Sequence, residues 1–226
     1  MASLKEVKGR IASVNSTRKI TSAMKMVASA KLHKAQAAIE SMLPYERRLH
    51  HILTDFMSNC TEVTSPFIVK REVKKVAVVV FASNTSLCGG FNANVIRHLV
   101  DLLAEYKPLG LENILVFPVG KKVADAVRKL GFRIEGDFQH MADKPSYQEA
   151  ADLAADLMKR FLHGDVDKVE LLYNHFKSTA SQILTRETYL PIDLNNEKKE
   201  EERTIDYILE PSAEELMQEM LPKVLR

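Results

Sequence analysis

The chain is predicted to be an α/β protein: a long N-terminal coiled-coil helix plus a Rossmann-like, mostly parallel sheet with helices on both faces. Three observations predict it. Residues 1–57 repeat apolar side chains at alternating three- and four-residue steps, with no glycine after Gly9 and no proline before Pro44. Residues 75–82 (KVAVVVFA) form an almost unbroken β-branched run, as expected of a strand buried on both faces. From there on, strand-like runs alternate with amphipathic helical stretches, the spacing of βαβ units.

The first element is a seam running from Leu4, Val7, Ile11 and Val14 through Arg18, Thr21 and Lys25, then on from Ala28 and Leu32 to Leu53 and Phe56. Twelve of its 16 positions are apolar, which makes it a heptad pattern. A helix of that length is a rod of about 85 Å. A body of this size cannot bury such a rod, so it must pack on something else. Between Arg18 and Lys25 the seam turns polar, and the apolar residues move sideways to Ile20, Ala23, Met24 and Val27. Two readings stand: a drift that arises because 3.6 does not divide seven, or a segment that leaves a helical partner and shows Arg18, Lys19 and Lys25 to something acidic.

Residues 60–70, with Pro66, read as a loop. The strand at 75–82 is followed by a turn at 83–90 and a helix over 91–106, with Val95, Leu99, Leu102 and Leu103 on one side. A second strand is expected at 113–119 (NILVFPV), and Gly120 opens a helix to Leu130. A short third strand is read at 131–138. A helix from Pro145 and Ser146 to about Leu162 has Ser146 and Glu149 as a capping box. Strands at 168–176 and 182–190 have no helix between them, so one of them is antiparallel. A charged loop at 195–203, a short edge strand at 205–209 and a closing helix from Pro211 complete the chain. The units are thus 1–57, 73–192 and 205–226.

Composition bounds the function. Hydrophobic residues make up 46% and charged residues 27% of the 226, as in a folded soluble protein. No apolar run reaches the length of a membrane span, and the N-terminus lacks a signal-peptide core. Two cysteines, Cys60 and Cys88, give no disulfide framework and fit a reducing cytosolic compartment. The net charge of +2 hides an asymmetry. Residues 1–50 carry ten Lys/Arg against three Asp/Glu, a net +7, and the remainder is −5. A basic rod on a mildly acidic body implies an acidic partner.

Catalytic signatures are missing. The turn at 83–90 sits where phosphate loops sit, yet has neither a P-loop ending nor a three-glycine fingerprint. Gly89 and Gly90 are read as allowing a tight turn, with Asn92 or Ser86 capping the helix, and Cys88 as a small buried cysteine. The seven histidines show no metal-ligand spacing, and no GxSxG elbow is present. Catalytic, cofactor-binding and metal residues are therefore expected to be none.

Arg18-Lys19-Ile20-Thr21-Ser22-Ala23-Met24-Lys25-Met26-Val27-Ala28, within a longer match from Leu4 to Leu32, strongly resembles the N-terminal helix of the F-type ATP synthase gamma subunits. Residues 87–92 (LCGGFN), 171–176 with Ser178 (LLYNHFKS), and 209–212 with Leu221-Pro222 agree in order and position, so the resemblance covers nearly the whole chain. It implies a rotor shaft whose N- and C-terminal helices form an antiparallel coiled coil inside a ring of three alpha and three beta subunits. The α/β domain would dock the epsilon subunit and the c-ring, at the cytoplasmic face of a bacterial inner membrane and peripheral to it, with no nucleic acid and no cofactor. It implies acidic loops of beta as the rod's partner, with Arg18, Lys19, Ile20, Met24, Lys25 and Val27 as subunit contacts. Two departures stand out. Ser83-Asn84-Thr85-Ser86 replaces the family's usual Ser-Asp-Arg-Gly, and the chain stops at Arg226, where family members continue in a second long helix. Two rival readings use the same features: a nucleotide-binding α/β enzyme with an oligomerising helix, and a nucleic-acid binder using the basic rod.

Overall fold

The computed structural model describes residues 3–59, 65–192 and 220–225. The chain divides into two compact units, residues 1–52 and 53–226. The first unit is helical from Leu4 onward, as part of α1 (Leu4–Asn59). Ser3 Oγ accepts the Glu6 N–H at the N-terminus of α1, and Pro44 lies inside the helix without ending it. The described seam residues from Leu4 to Met42 are all exposed.

The second unit carries β1 (Val76–Phe81), α2 (Phe91–Tyr106), β2 (Ile114–Val119), α3 (Lys121–Leu130), β3 (Arg133–Ile134), α4 (Gln139–Asp143), α5 (Tyr147–His163), β4 (Lys168–Ser178) and β5 (Ser181–Leu190). The five strands form one sheet in the order β3-β2-β1-β4-β5. β1 pairs in parallel with β2 and β4, and β2 with β3, while β4 and β5 pair antiparallel. The missing helix between the last two strands foretold that antiparallel pair.

Alternation along β1 assigns the two cores. Val76, Val78 and Val80 face Val95, Leu99, Leu102 and Leu103 of α2 and Val123 and Val127 of α3. Ala77 and Val79 face Leu153, Leu157, Met158 and Phe161 of α5. Residues 220–224 are helical, and Leu221 is fully buried in this second cluster. Arg71 closes the unit at one edge. Its guanidinium pairs with Asp167 at 3.1 Å and lies 4.4 Å from the ring centre of Phe161.

Several expectations change. The third strand shrinks to two residues because Gly131 caps α3 in the left-handed region and Gly136 (φ 73°) turns the chain away. Helix α4 was not expected; Asp137 Oδ1 accepts the Gln139 N–H and starts it. Only half of the capping box at α5 forms. Ser146 Oγ accepts the Glu149 N–H, but the Glu149 carboxylate turns to His140 Nδ1 at 3.1 Å. The expected edge strand at 205–209 and the start of the closing helix lie outside the described residues.

Candidate functional site

Chemistry on this chain would have to sit at the C-terminal ends of the parallel strands, where the topology switches between β1 and β4. A cleft of about 640 Å³ opens there, lined by Phe81, Phe91, Val119, Leu171, Tyr173 and Asn174, among others. Its lining includes no Lys or Arg to balance a phosphate, and the buried Nδ2 of Asn174 has no hydrogen-bond partner among the described residues.

The loop before α2 is folded onto itself. Asn92 is buried and acts as its bracket: Oδ1 accepts the Ser83 N–H at 3.0 Å, and Nδ2 donates to the Thr85 carbonyl at 2.8 Å. Asn84 clasps the neighbouring turns, accepting the Lys121 N–H at 2.7 Å and donating to the Gln139 carbonyl at 2.9 Å. The Asn84 and Asn92 side chains are thus engaged within the fold. Neither Asn92 nor Ser86 caps α2; Gly90 takes that position, without a side-chain cap. Cys88 is partly exposed rather than buried, because its thiol sits at the loop rim beside Asn92 Nδ2 at 3.1 Å. Local spacing pointed to a cap at Asn92, and only the long reach back to Ser83 shows its role.

A second cleft of about 370 Å³ beside α4 and α5 carries Asp137, His140, Glu149, Asp152 and Asp156. Among the described residues no grouping of side chains could hold a metal ion.

The other candidate is the segment of α1 read from the sequence. Its six residues are exposed on one unbroken helix: Ile20 at 62%, Met24 at 52%, Val27 at 59%, together with Arg18, Lys19 and Lys25. At about 100° per residue, Ile20, Met24 and Val27 share an arc of about 60°. Arg18 and Lys25 lie within about 20° of one another, roughly on the opposite side, and Lys19 falls between. The helix therefore brings the three apolar residues together and separates them from two of the three cations. Thr17 and Thr21 direct their hydroxyls to the carbonyls four residues back, at 3.0 and 2.8 Å, so they need no outside acceptor.

Comparison with known proteins adds the following. A family model described as ATP synthase matches residues 3–226. The chain is 78% identical over 228 residues to the ATP synthase gamma chain of Phocaeicola vulgatus, a match that spans all of this chain and 79% of that one. It is 60% identical over 236 residues to the ATP synthase gamma chain of Bacteroides thetaiotaomicron, with the same two coverages. The central stalk and c-ring structure of the Tetrahymena thermophila mitochondrial ATP synthase contains a chain of similar fold. Its TM-score is 0.58 at 20% identity, over 91% of this chain and 89% of that one. A rotor chain of the Euglena gracilis mitochondrial ATP synthase gives 0.51 at 19%, over 83% and 62%.

Proposed function

The chain belongs to the ATP synthase gamma family, and on that premise we propose that α1 turns inside a ring of three alpha and three beta subunits while the α/β unit docks the epsilon subunit and the membrane c-ring. It is the central rotor subunit of the ATP synthase, a non-catalytic member of a catalytic complex. Rotation couples proton flow at the c-ring to the three catalytic sites of the beta subunits. The asymmetry of the shaft forces those sites through different conformations in turn, so this chain makes and breaks no bond itself.

Arg18, Lys19, Ile20, Met24, Lys25 and Val27 are the contact segment of this shaft, set against acidic and apolar surfaces of its neighbours. The units used are a shaft helix over 1–57, an α/β body over 73–192 and a second shaft segment from 205. The observation that carries the reading is the 56-residue helix whose apolar seam is exposed from Leu4 to Met42. Exposure on that scale needs an extended partner. The complex lies at the cytoplasmic face of a bacterial inner membrane. In this reading the chain attaches through its partners; no described helix is long and apolar enough to cross a membrane.

Co-expression with the alpha and beta subunits of its own organism tests this. The expected result is one complex that hydrolyses ATP and retains this chain through gel filtration. Alpha and beta assembling while this chain elutes alone would overturn the reading.

A further inference from the structure

Beyond Leu172 the sheet opens. The β1–β4 ladder ends at Val80 with Leu172. β1 stays with β2 for longer, through Phe81 with Val119 and the Ala82 N–H on the Val119 carbonyl at 2.9 Å. β4 runs on to Ser178, so Tyr173 and Asn174 stand where β1 no longer pairs with their strand. The cleft of about 640 Å³ lies there, at the point where open α/β sheets bind ligands, and it has the size of a small-molecule site.

The lining sets the chemistry of an occupant. It holds no charged residue of either sign, so an anion or a cation would enter without a counter-charge and lose its hydration. Phe81, Phe91 and Tyr173 contribute rings and Met141 a thioether, a combination that favours an aromatic body. The floor is continuous with the core beneath α5, against which Phe81, Met141 and Leu171 pack.

Most polar side chains of the lining are engaged. Ser83 Oγ donates to the Thr85 carbonyl at 2.8 Å, Ser146 Oγ accepts the Glu149 N–H at 3.2 Å, and the Tyr173 hydroxyl donates to Glu187 Oε2 at 2.9 Å. Asn174 differs: its Nδ2 is buried and has no hydrogen-bond partner among the described residues. Buried donors without partners are rare, because each carries a desolvation cost. A turn about the soft Cβ–Cγ torsion gives up no bond on that nitrogen, and an acceptor arriving in the cleft would satisfy it. We propose that this cleft binds a neutral, largely aromatic molecule carrying one hydrogen-bond acceptor, a ketone or ester carbonyl, which takes the unpaired N–H of Asn174. The site belongs to the α/β unit alone and does not depend on the rotor reading.

Equilibrium dialysis of the full chain against three related probes tests this. Benzophenone has two rings and a carbonyl, diphenylmethane lacks the carbonyl, and para-benzoylbenzoate adds a carboxylate. The wild-type chain should bind benzophenone at least about tenfold more tightly than para-benzoylbenzoate. Asn174→Leu and Asn174→Asp both remove the donor, and each should lower the preference for benzophenone over diphenylmethane by about tenfold, the effect of one hydrogen bond to a buried group. Ala150→Trp, which fills the cleft from α5, should bind neither neutral probe while keeping the wild-type circular dichroism. A preference unchanged in both Asn174 variants would overturn the proposal. So would para-benzoylbenzoate binding as tightly as benzophenone, undiminished binding to Ala150→Trp, or a wild-type chain that takes up none of the probes. Binding to the free chain that disappears in the assembled ATP synthase complex would also overturn it, and would assign the cleft to a neighbouring subunit.

Discussion

Glu170 is 1% exposed in β4, and four donor atoms of three side chains surround it. Lys168 Nζ lies at 2.6 Å, Arg186 Nε at 2.8 Å, Arg186 Nη2 at 3.1 Å, and the Tyr106 hydroxyl donates at 2.7 Å. Burial alone would raise the carboxyl pKa. Hydrogen bonds from Arg186, Lys168 and Tyr106, with the charge of Lys168, outweigh it and hold the group below its ordinary value. Removing one member of such a cluster strands the others. Glu170→Ala should therefore lower the unfolding free energy by about 3 kcal/mol, the low end for a buried pair, because Lys168 and Arg186 keep some solvent contact. A depressed carboxyl stabilises the fold above its unfolded pKa and loses that contribution as pH falls through the folded one. Urea unfolding of wild type and variant should thus give a constant difference above pH about 5 and a shrinking one below it. A difference that stays constant into strong acid would contradict the ionic account.

At the scale of elements, the strand-to-helix turns decide how closely the layers meet. Gly120, between β2 and α3, has φ of 115°, and a Cβ built there would lie 2.2 Å from the Ala82 carbonyl oxygen. The close approach arises because the Ala82 N–H bonds the Val119 carbonyl at 2.9 Å just beyond β1. Gly120→Ala combines backbone strain with a clash against main chain, and should cost about 3 kcal/mol. In a thermal melt that is a fall of roughly 8 °C for a unit of this size; an unchanged midpoint would show that the turn can relax. Gly120 was legible as the start of a helix, but the contact that requires glycine was not, since Ala82 is 38 residues away in the chain.

For the whole molecule, the cleft at the strand ends, with no Lys or Arg in its lining to balance a phosphate, argues against nucleotide binding there. ATP or ADP at about 1 mM should leave the thermal midpoint unchanged, because a ligand stabilises only by its affinity for the folded state. A saturating upward shift would revive the enzyme reading. The chain is a non-catalytic member of the ATP synthase complex.

Periodicity determined a great deal by itself. The seam of α1, the β-branched run of β1, the helix at 91–106 and the antiparallel final pair all follow from local patterns that physics imposes residue by residue. What tertiary structure alone decided is what depends on distant groups meeting. Asn92 became a bracket rather than a cap, the Glu149 carboxylate went to His140 rather than closing the capping box, and β3 shrank to two residues beside β2. The unbroken helix also settled which faces the cations and apolar residues of α1 occupy. Local spacing is set by neighbours three or four residues away, whereas partners across the fold are chosen by packing, which no short window of sequence contains.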